Sequence, residues 1–272
     1  MKRSLLAVLP LALPALVGCG AADPAGRSAL ADPGQAQAVA AYRAYVQQRA
    51  DELVPRVEEL VAAVRSGDVA RAKALYAPSR EPWEAIEPVA ETFGDLDPKL
   101  DLREADLEAG AEWTGWHRIE KSLWVDDSVA GLAPVADQLL ADVRDLRGRV
   151  PQAELSVQSI GNGAKELLDE VATTKVTGEE EAFSHTDLVD FAANVEGAER
   201  AFEVLRPLMT DRDLVVELEA AFAGVEGALA DHALGDGYVS YETVDAAGRR
   251  ELARVVDALG EPLSRLSAAA GA

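Results

Sequence analysis

The chain has 272 residues, a single cysteine and a formal net charge of −22 at pH 7. This acidic balance argues against nucleic acid or anionic lipid as a partner, because both would repel the chain. It is compatible with the attraction of cations, although an acidic surface that keeps a protein soluble is the simpler explanation.

The N-terminus is typical of a secretory signal of a bacterial lipoprotein. Basic residues precede an apolar stretch from Leu5 to Val17, and Leu16-Val17-Gly18-Cys19 forms a lipoprotein-type cleavage box. We therefore predict a signal peptide over residues 1–18 and acylation of Cys19, with the chain anchored at the outer face of the cell membrane, on the periplasmic or extracellular side. The alternative is an uncleaved anchor, but the apolar run is far shorter than the ~20 residues that span a bilayer.

Residues 19–34 are predicted to form a lipidated flexible tether, because they are rich in Ala, Gly, Asp and Pro and offer almost nothing to bury. The folded part is expected to start near Gln35. With no second cysteine there is no disulfide framework, so the fold must depend on its core.

The first half of the folded part shows helical periodicity. Apolar side chains recur every three or four residues from Gln35 to Arg65, which predicts one long amphipathic helix. Ser66-Gly67-Asp68 ends this helix, and Pro78 is expected to break the shorter helix that follows. Residues 94–101 are expected to form a loop. The other helices predicted in this half are 80–93, 102–124 and 129–149.

The second half follows Pro151 in the same style. Periodicity predicts helices over 154–174, 212–232 and 243–266, with a turn at Gly235-Asp236-Gly237. Ser184-His185-Thr186-Asp187 is typical of a capping box that opens a further helix ending at Leu205. No segment of useful length alternates apolar and polar residues. We therefore predict an all-α protein, most simply two antiparallel helical bundles over residues 35–150 and 151–272.

His117 and Glu120 lie in a stretch that contains three of the four tryptophans. On a helix they would share one face, because side chains three residues apart are neighbours. An imidazole beside a carboxylate is half of a metal site, but a core histidine bonded to a neighbour is the alternative. The tryptophans would either form a dry wall around a site or serve as core anchors, at positions 83, 113, 116 and 124.

Glu84 and Glu87 form a second pair at helical spacing. If their helix faces that of His117 and Glu120, the two pairs converge, as in iron proteins whose bundle helices project carboxylates inward. Oxygen ligands with one nitrogen suit iron, manganese or zinc better than copper. The alternative for the two glutamates is a solvated face at the start of a helix.

Several ordered motifs are together similar to a known family. They are Glu84–Asp97 with the following Asp101, Gly115–Glu120, Gly163–Val171, Gly178–Glu180 and Ser184–Leu188. They resemble the imelysin-like family and, within it, the EfeO/EfeM iron-uptake lipoproteins, from about Ala40 to the end of the chain. The resemblance implies a pair of four-helix bundles and an extracytoplasmic component that binds ferrous or ferric iron for a membrane permease. It also implies a haem-peroxidase-like partner.

The resemblance also implies a set of iron ligands, for which Zn²⁺ would be a surrogate ion. His117 and Glu120 take the family's His-x-x-Glu positions, and its acidic cluster corresponds to Glu84, Glu87 and Asp101. Glu180 and His185 are second-tier candidates. Full-length EfeO proteins carry an N-terminal cupredoxin-like domain for which this chain has only a short tether, so we expect the shorter EfeM form.

Two alternatives stay open at this point: a metallopeptidase at the same residues, and a metal-dependent polysaccharide-binding protein. Common zinc peptidases use His-Glu-x-x-His, with two imidazoles on zinc and the glutamate as base, and the sequence has no such arrangement. So acidic a chain would need a bridging metal to bind a polyanion. We therefore expect a binding component without catalytic residues.

Overall fold

The computed structural model of the protein describes residues 32–271, apart from the side chains of Ala90 and Glu91. The predicted signal peptide, the predicted lipidation site at Cys19 and residues 20–31 of the predicted tether lie outside this part of the chain. Residues 32–271 are almost entirely helical, and the all-α prediction is confirmed. Within this range, no helix has the length and hydrophobicity that a bilayer-spanning segment needs.

The helices follow one another with short connections. In chain order they are α1 (Pro33–Ser66), α2 (Val69–Glu84), α3 (Glu87–Glu91), α4 (Asp97–Leu100), α5 (Gly115–Trp124), α6 (Ala133–Arg149), α7 (Val157–Glu170), α8 (Asp187–Leu205), α9 (Arg212–Ala230), α10 (Ala246–Leu263) and α11 (Leu266–Ala269). Short 3₁₀ helices lie at Glu104–Asp106, Val150–Gln152, Arg206–Leu208 and Tyr241–Thr243, and one π-helical turn lies at Val171–Lys175. The strands β1 (Ala233–Leu234) and β2 (Gly237–Tyr238) pair in antiparallel fashion around the predicted turn.

The long helix α1 forms one side of the core. It begins after Asp32, whose side chain accepts a hydrogen bond from the Gly34 amide, and it ends at Gly67 in the left-handed conformation. Its buried face packs against α2, α6 and α8. Each fully buried aliphatic side chain contributes roughly 1.5–3 kcal/mol to the free energy of unfolding. The fully buried ones of this face include Val46, Leu53, Val57 and Leu60.

The predicted break at Pro78 is wrong, because α2 continues through Pro78 and Pro82 to Glu84. Each proline lacks the amide hydrogen of one helical bond. The Ser79 hydroxyl donates to the Tyr76 carbonyl at 2.7 Å, and Arg56 donates to the Pro78 carbonyl at 2.9 Å. Packing of the buried face of α2 against α1 and α8 outweighs the lost backbone bonds.

The predicted helix over residues 102–124 is also wrong in its first half. Only Gly115–Trp124 is α-helical, and residues 107–114 form no helix. Gly110 and Gly115 have φ angles of +86° and +79°, in the left-handed region that an α-helix cannot contain. The predicted loop at 94–101 contains the short helix α4.

The capping box predicted at Ser184–Asp187 is not formed. α8 begins at Asp187, and its N-cap residue, Thr186, makes no capping bond through its side chain. The Ser184 hydroxyl instead donates to Glu181 Oε2 at 2.7 Å. This segment therefore orders the buried loop before α8 rather than the first turn of the helix.

The division into bundles at residue 150 stays a prediction. Residues 32–272 cluster as one compact unit, and α1 and α2 both pack directly against α8. Helices from both sides of residue 150 therefore share one interior, and this position places charged side chains of α2, α5 and α8 close together.

One pH dependence arises outside this shared interior, on the surface of α8. Burial, with the neighbouring Glu226 and Glu203, raises the pKa of Glu199 to about 7. Because this folded-state pKa lies above that of the unfolded chain, the folded state loses stability as the pH rises from about 4 to 7. We expect Glu199→Gln to raise the free energy of unfolding at pH 8 by on the order of 1 kcal/mol, after allowance for solvent screening. Below pH 4 the difference should vanish.

Urea unfolding of both proteins at several pH values measures this effect. Glu154→Gln, at an exposed position, serves as the control. Equal stability of wild type and Glu199→Gln at pH 8 would contradict the prediction.

Candidate metal-binding site

A group of charged side chains lies in the interior where α2, α5 and α8 meet. Its members, called here the buried charge cluster, have side chains at most 6% exposed. They are Arg80 and Glu84 of α2, Asp101 after α4, His117 and Glu120 of α5, Glu180 and Glu181 of the loop before α8, and Asp190 of α8. Burial of so many charges requires close pairing, because an isolated ion in a protein interior is costly.

The imidazole of His117 faces carboxylates on both sides. Nδ1 lies 3.1 Å from Glu120 Oε2, at hydrogen-bond distance. Nε2 lies 3.3 Å from Asp101 Oδ1 and 3.7 Å from Glu180 Oε1, and it is buried without a hydrogen bond to any protein group. Two sets of potential ligands therefore share this histidine.

Glu120 is held by both of its oxygens. Oε1 accepts hydrogen bonds from the backbone amides of Phe183 and Ser184, at 3.0 and 2.7 Å, and Oε2 contacts His117. These bonds attach α5 to the loop before α8. They also fix the ring orientation of His117.

Arg80 is the central cation of the cluster. It is fully buried and donates hydrogen bonds to Asp101 and Glu84, and its Nε lies 2.9 Å from Glu181 and 3.2 Å from Asp190. The planar guanidinium can bond several carboxylates at once, which a lysine ammonium cannot do with the same geometry.

A second buried cation, Lys175, lies in the π-helical turn after α7. Its Nζ is 3.1 Å from Glu84 Oε2 and 3.0 Å from Glu170 Oε1. Asn194 donates to the same Glu84 oxygen at 3.1 Å. Both oxygens of Glu84 are therefore engaged by protein groups, and Glu84 is not in contact with His117 in this arrangement.

Glu87 lies apart from the cluster, at the start of α3. Its residue is 7% exposed, and its Oε2 atom is buried without a hydrogen bond. It lines a pocket of about 410 Å³, called here the outer pocket. Asp101 and Glu180 line the same pocket, so it leads to the Nε2 side of His117.

Two groups of side chains have the spacing of a metal site. Asp101, His117 and Glu180 form one, and His117, Glu120 and Glu181 form the other, each with ligand atoms within 4.8 Å of one another. Carboxylate oxygens with one imidazole nitrogen suit Fe, Mn or Zn.

Protonation separates the two groups. Burial and the nearby Arg80 lower the pKa of His117, but its contacts with Asp101, Glu120 and Glu180 outweigh both and hold the pKa well above its usual range. Burial would raise the pKa of Glu180, yet Lys175 and His117 lower it to about 2. Burial and Glu120 raise the pKa of Glu181 to about 8, against the effects of Arg80 and His117. At pH 7 the ionised oxygens therefore face Nε2 rather than Nδ1.

Tryptophans enclose the cluster. Trp83 and Trp116 are fully buried with ring centroids 5.8 Å apart. Trp83 Nε1 donates to Asp101 Oδ2 at 2.8 Å, and Trp116 Nε1 donates to the Ser79 hydroxyl at 3.1 Å. These two side chains act both as core anchors and as a dry wall, so the two interpretations of the sequence are compatible.

The structure brings together part of the predicted ligand set. His117, Glu120 and Asp101 meet, Glu180 joins them, and Glu84 and Glu87 lie beside them with other contacts. His185 is placed elsewhere, with Nε2 3.5 Å from Glu242. Sequence reasoning missed four members of the surroundings: Arg80, Lys175, Glu181 and Asp190. For Arg80 a signal existed, since it precedes Glu84 by one helical turn.

The family model for imelysin, Peptidase M75, matches residues 38–266. The chain belongs to the imelysin family. The iron uptake system component EfeO of Escherichia coli O1:K1 is 40% identical to this imelysin over 259 residues, which cover 93% of this chain and 68% of the relative. EfeO of E. coli strain K12 is 39% identical with the same coverage.

A solved structure shows the same fold. The iron-regulated protein A precursor of Parabacteroides distasonis superposes on this imelysin with a TM-score of 0.66, over 88% of this chain and 96% of that one. At 16% sequence identity the likeness concerns the fold alone.

Proposed function

We propose that this imelysin is a component of a bacterial iron uptake system and binds its iron cargo in the buried charge cluster. The observation that carries the proposal is His117 Nε2, which is buried without a hydrogen bond and faces the carboxylates of Asp101 and Glu180. Relatives 39–40% identical over 93% of the chain are iron uptake system components. Zn²⁺ fits the same donor set and serves as a surrogate ion.

In this proposal, Asp101, His117 and Glu180 contact the ion. Glu120 accepts from Nδ1 and fixes the tautomer in which Nε2 offers its lone pair, so it acts on the ion through His117. Glu84 is held by Arg80 and Lys175 and shapes the cluster from behind. Glu87 lies in the outer pocket, away from His117.

The charge of the cluster also favours a cation. Six buried carboxyl groups, those of Glu84, Asp101, Glu120, Glu180, Glu181 and Asp190, face the two permanent cations Arg80 and Lys175. In the metal-free protein the raised pKa of His117 means that a proton supplies further positive charge. A metal ion that binds Nε2 replaces that proton, so its affinity should increase with pH.

We further propose that the protein acts outside the cytoplasm, is anchored through acylated Cys19, and delivers iron to a membrane permease with a haem-peroxidase-like partner. These finer points are supported by the N-terminal sequence and the resemblance to the EfeO/EfeM proteins. A binding role is favoured over peptide hydrolysis, because a two-imidazole zinc site needs a second histidine near His117. Of the other two histidines, both within the described residues, His185 contacts Glu242 and His232 lies next to Gly248.

Replacing His117 by alanine tests the site. We expect at least about a 100-fold loss of affinity for Fe²⁺ and Zn²⁺, because the only nitrogen ligand is removed; loss of a supporting residue alone typically costs 10–100-fold. Calorimetric titration, anaerobic for Fe²⁺, measures the change in the protein starting at Gly20.

His185→Asn is the matched control. This residue has a positive φ of 58°, which asparagine tolerates, and it lies outside the cluster. Unchanged binding in the control with loss in His117→Ala supports the site. Equal affinity of wild type and His117→Ala would refute it. In cells, uptake of radioactive iron should be restored by the wild-type gene and not by the His117→Ala gene.

A further inference from the structure

We propose that the outer pocket holds a second cation, a partly hydrated divalent ion bound at Glu87, before it passes to His117. The inference deepens the proposed function, because it adds a loading position to the same site. It rests on three observations: the lining of the pocket, the state of Glu87 and the shared walls of the two sites.

Carboxylates dominate the lining of the outer pocket. They include Glu87, Asp106, Glu166, Asp169, Glu170 and Glu180. Among the described lining residues Arg103 is the only cation, and it is already paired with Asp106 and Glu180 at 2.8 and 3.3 Å. Such a concave acidic surface concentrates cations from solution.

Glu87 supplies the observation that points to a ligand. Its carboxyl group is more than nine-tenths buried and lines the pocket, yet Oε2 has no hydrogen-bond partner. The nearby cation Lys175 is engaged by Glu84 and Glu170. An unpartnered buried polar atom is costly, and a bound ion or its water shell would satisfy it. Burial and the charges of Glu170 and Glu84 raise the pKa of Glu87, so a bound cation would replace a proton.

The spacing of the carboxylates indicates the kind of ion. Within residues 32–271, Glu87 belongs to no group of three ligand atoms close enough to coordinate one ion directly. An ion here must therefore keep several water molecules, as hard divalent cations commonly do when only one or two carboxylates contact them. A pocket of about 410 Å³ has room for such a hydrated ion.

The outer pocket and the His117 site share walls. Asp101 and Glu180 line the pocket and also belong to the group that includes His117 Nε2. An ion at Glu87 would lose its water step by step as it exchanges water for Asp101, Glu180 and finally His117. The outer position therefore raises the local ion concentration beside the inner one.

Titration with Mn²⁺ alone, followed by electron paramagnetic resonance at physiological ionic strength, tests the inference. We expect wild type to bind two Mn²⁺ per chain, Glu87→Gln and His117→Ala one each, and the double variant none. Glutamine keeps the size of the side chain and removes its charge. Glu199→Gln is the matched control, a carboxyl group also crowded by acids but on another surface, and it should still bind two.

The outcomes separate the two proposals. Two ions bound by Glu87→Gln, or one ion in wild type that is lost in His117→Ala, would overturn the outer position and leave the proposed function standing. Loss of one ion in Glu87→Gln with none lost in His117→Ala would support the outer position and contradict the His117 site. Equal losses in Glu87→Gln and Glu199→Gln would show general electrostatic attraction and overturn the outer position.

Discussion

Replacing Arg80 by methionine is expected to lower the free energy of unfolding by about 3–5 kcal/mol at pH 7. The guanidinium is fully buried and contacts Asp101, Glu84, Glu181 and Asp190. Removing it leaves four buried carboxyl groups without their common partner, and uncompensated buried charge is among the most costly defects in a protein. Methionine has similar length, so the loss reflects charge and hydrogen bonds rather than a cavity.

The effect should depend on pH. Without Arg80, the pKa values of these carboxyl groups rise above their unfolded values, so the folded variant binds more protons than the unfolded chain. Its stability is then lost as the pH rises from about 4 towards 8. The difference from wild type should therefore be largest at neutral pH and shrink in acid. Urea unfolding followed by circular dichroism at pH 5 and pH 7 measures both values.

Two further variants guard against a protein that does not fold at all. Arg80→Lys keeps the charge and loses the multiple hydrogen bonds, so we expect an intermediate loss. Arg49→Met removes an arginine that is paired with Glu52 and with the half-exposed Glu196, and it should cost much less. A similar cost for Arg49→Met and Arg80→Met would show that the buried charge cluster has no special role in stability.

Replacing Gly115 by alanine should disturb stability and metal binding together. Gly115 has a φ of +79°, and an added Cβ would lie 2.1 Å from the Leu100 carbonyl oxygen. The left-handed conformation costs an alanine about 1–2 kcal/mol, and forcing atoms into a packed region costs typically 1–3 kcal/mol. We expect a loss of about 2–5 kcal/mol in the free energy of unfolding.

The same clash lies next to the site. Gly115 starts α5, two residues before His117, and Leu100 precedes Asp101. Moving these segments apart should separate His117 Nε2 from Asp101 and lower the affinity for Zn²⁺ by more than tenfold. Misplacement of a ligand-bearing residue by a fraction of an ångström is enough for such an effect.

Gly110→Ala separates the two causes. Gly110 also has a positive φ, +86°, but an added Cβ would meet nothing within 4 Å. It should lose only about 1–2 kcal/mol and keep its affinity for Zn²⁺. If both variants bound Zn²⁺ equally well, the close approach of Gly115 to Leu100 would not matter for the site.

The helical class and most helix positions could be predicted from periodicity, because the apolar faces are regular. The errors have local causes. Pro78 suggested a break, yet the packing of α2 outweighed the lost hydrogen bond. Between residues 102 and 114 a helical pattern hid two glycines with positive φ. Tertiary packing and backbone conformation were decisive there, and neither is visible in apolar spacing.

The candidate site was predictable only in part. His117 and Glu120 could be identified from their spacing, and Asp101 from the family resemblance. Arg80 and Lys175 escaped notice because a basic residue on a helix usually faces solvent, and their burial depends on acids that approach from distant segments. Glu181 lies in a run of three glutamates, and only the fold distinguishes it from Glu179, which does not belong to the cluster.

The buried charge cluster joins segments that are far apart in the chain. Glu120 bonds the amide of a residue 64 positions later, and Arg80 bonds Asp190, 110 positions later. These contacts form only when the chain closes its longest loops, so an unfolded molecule has no comparable place for the ion. An ion that binds only the folded form lowers the fraction of open molecules, and open molecules are the ones that proteases cut. Iron supply would thus set the lifetime of the protein, with loaded copies outlasting empty ones.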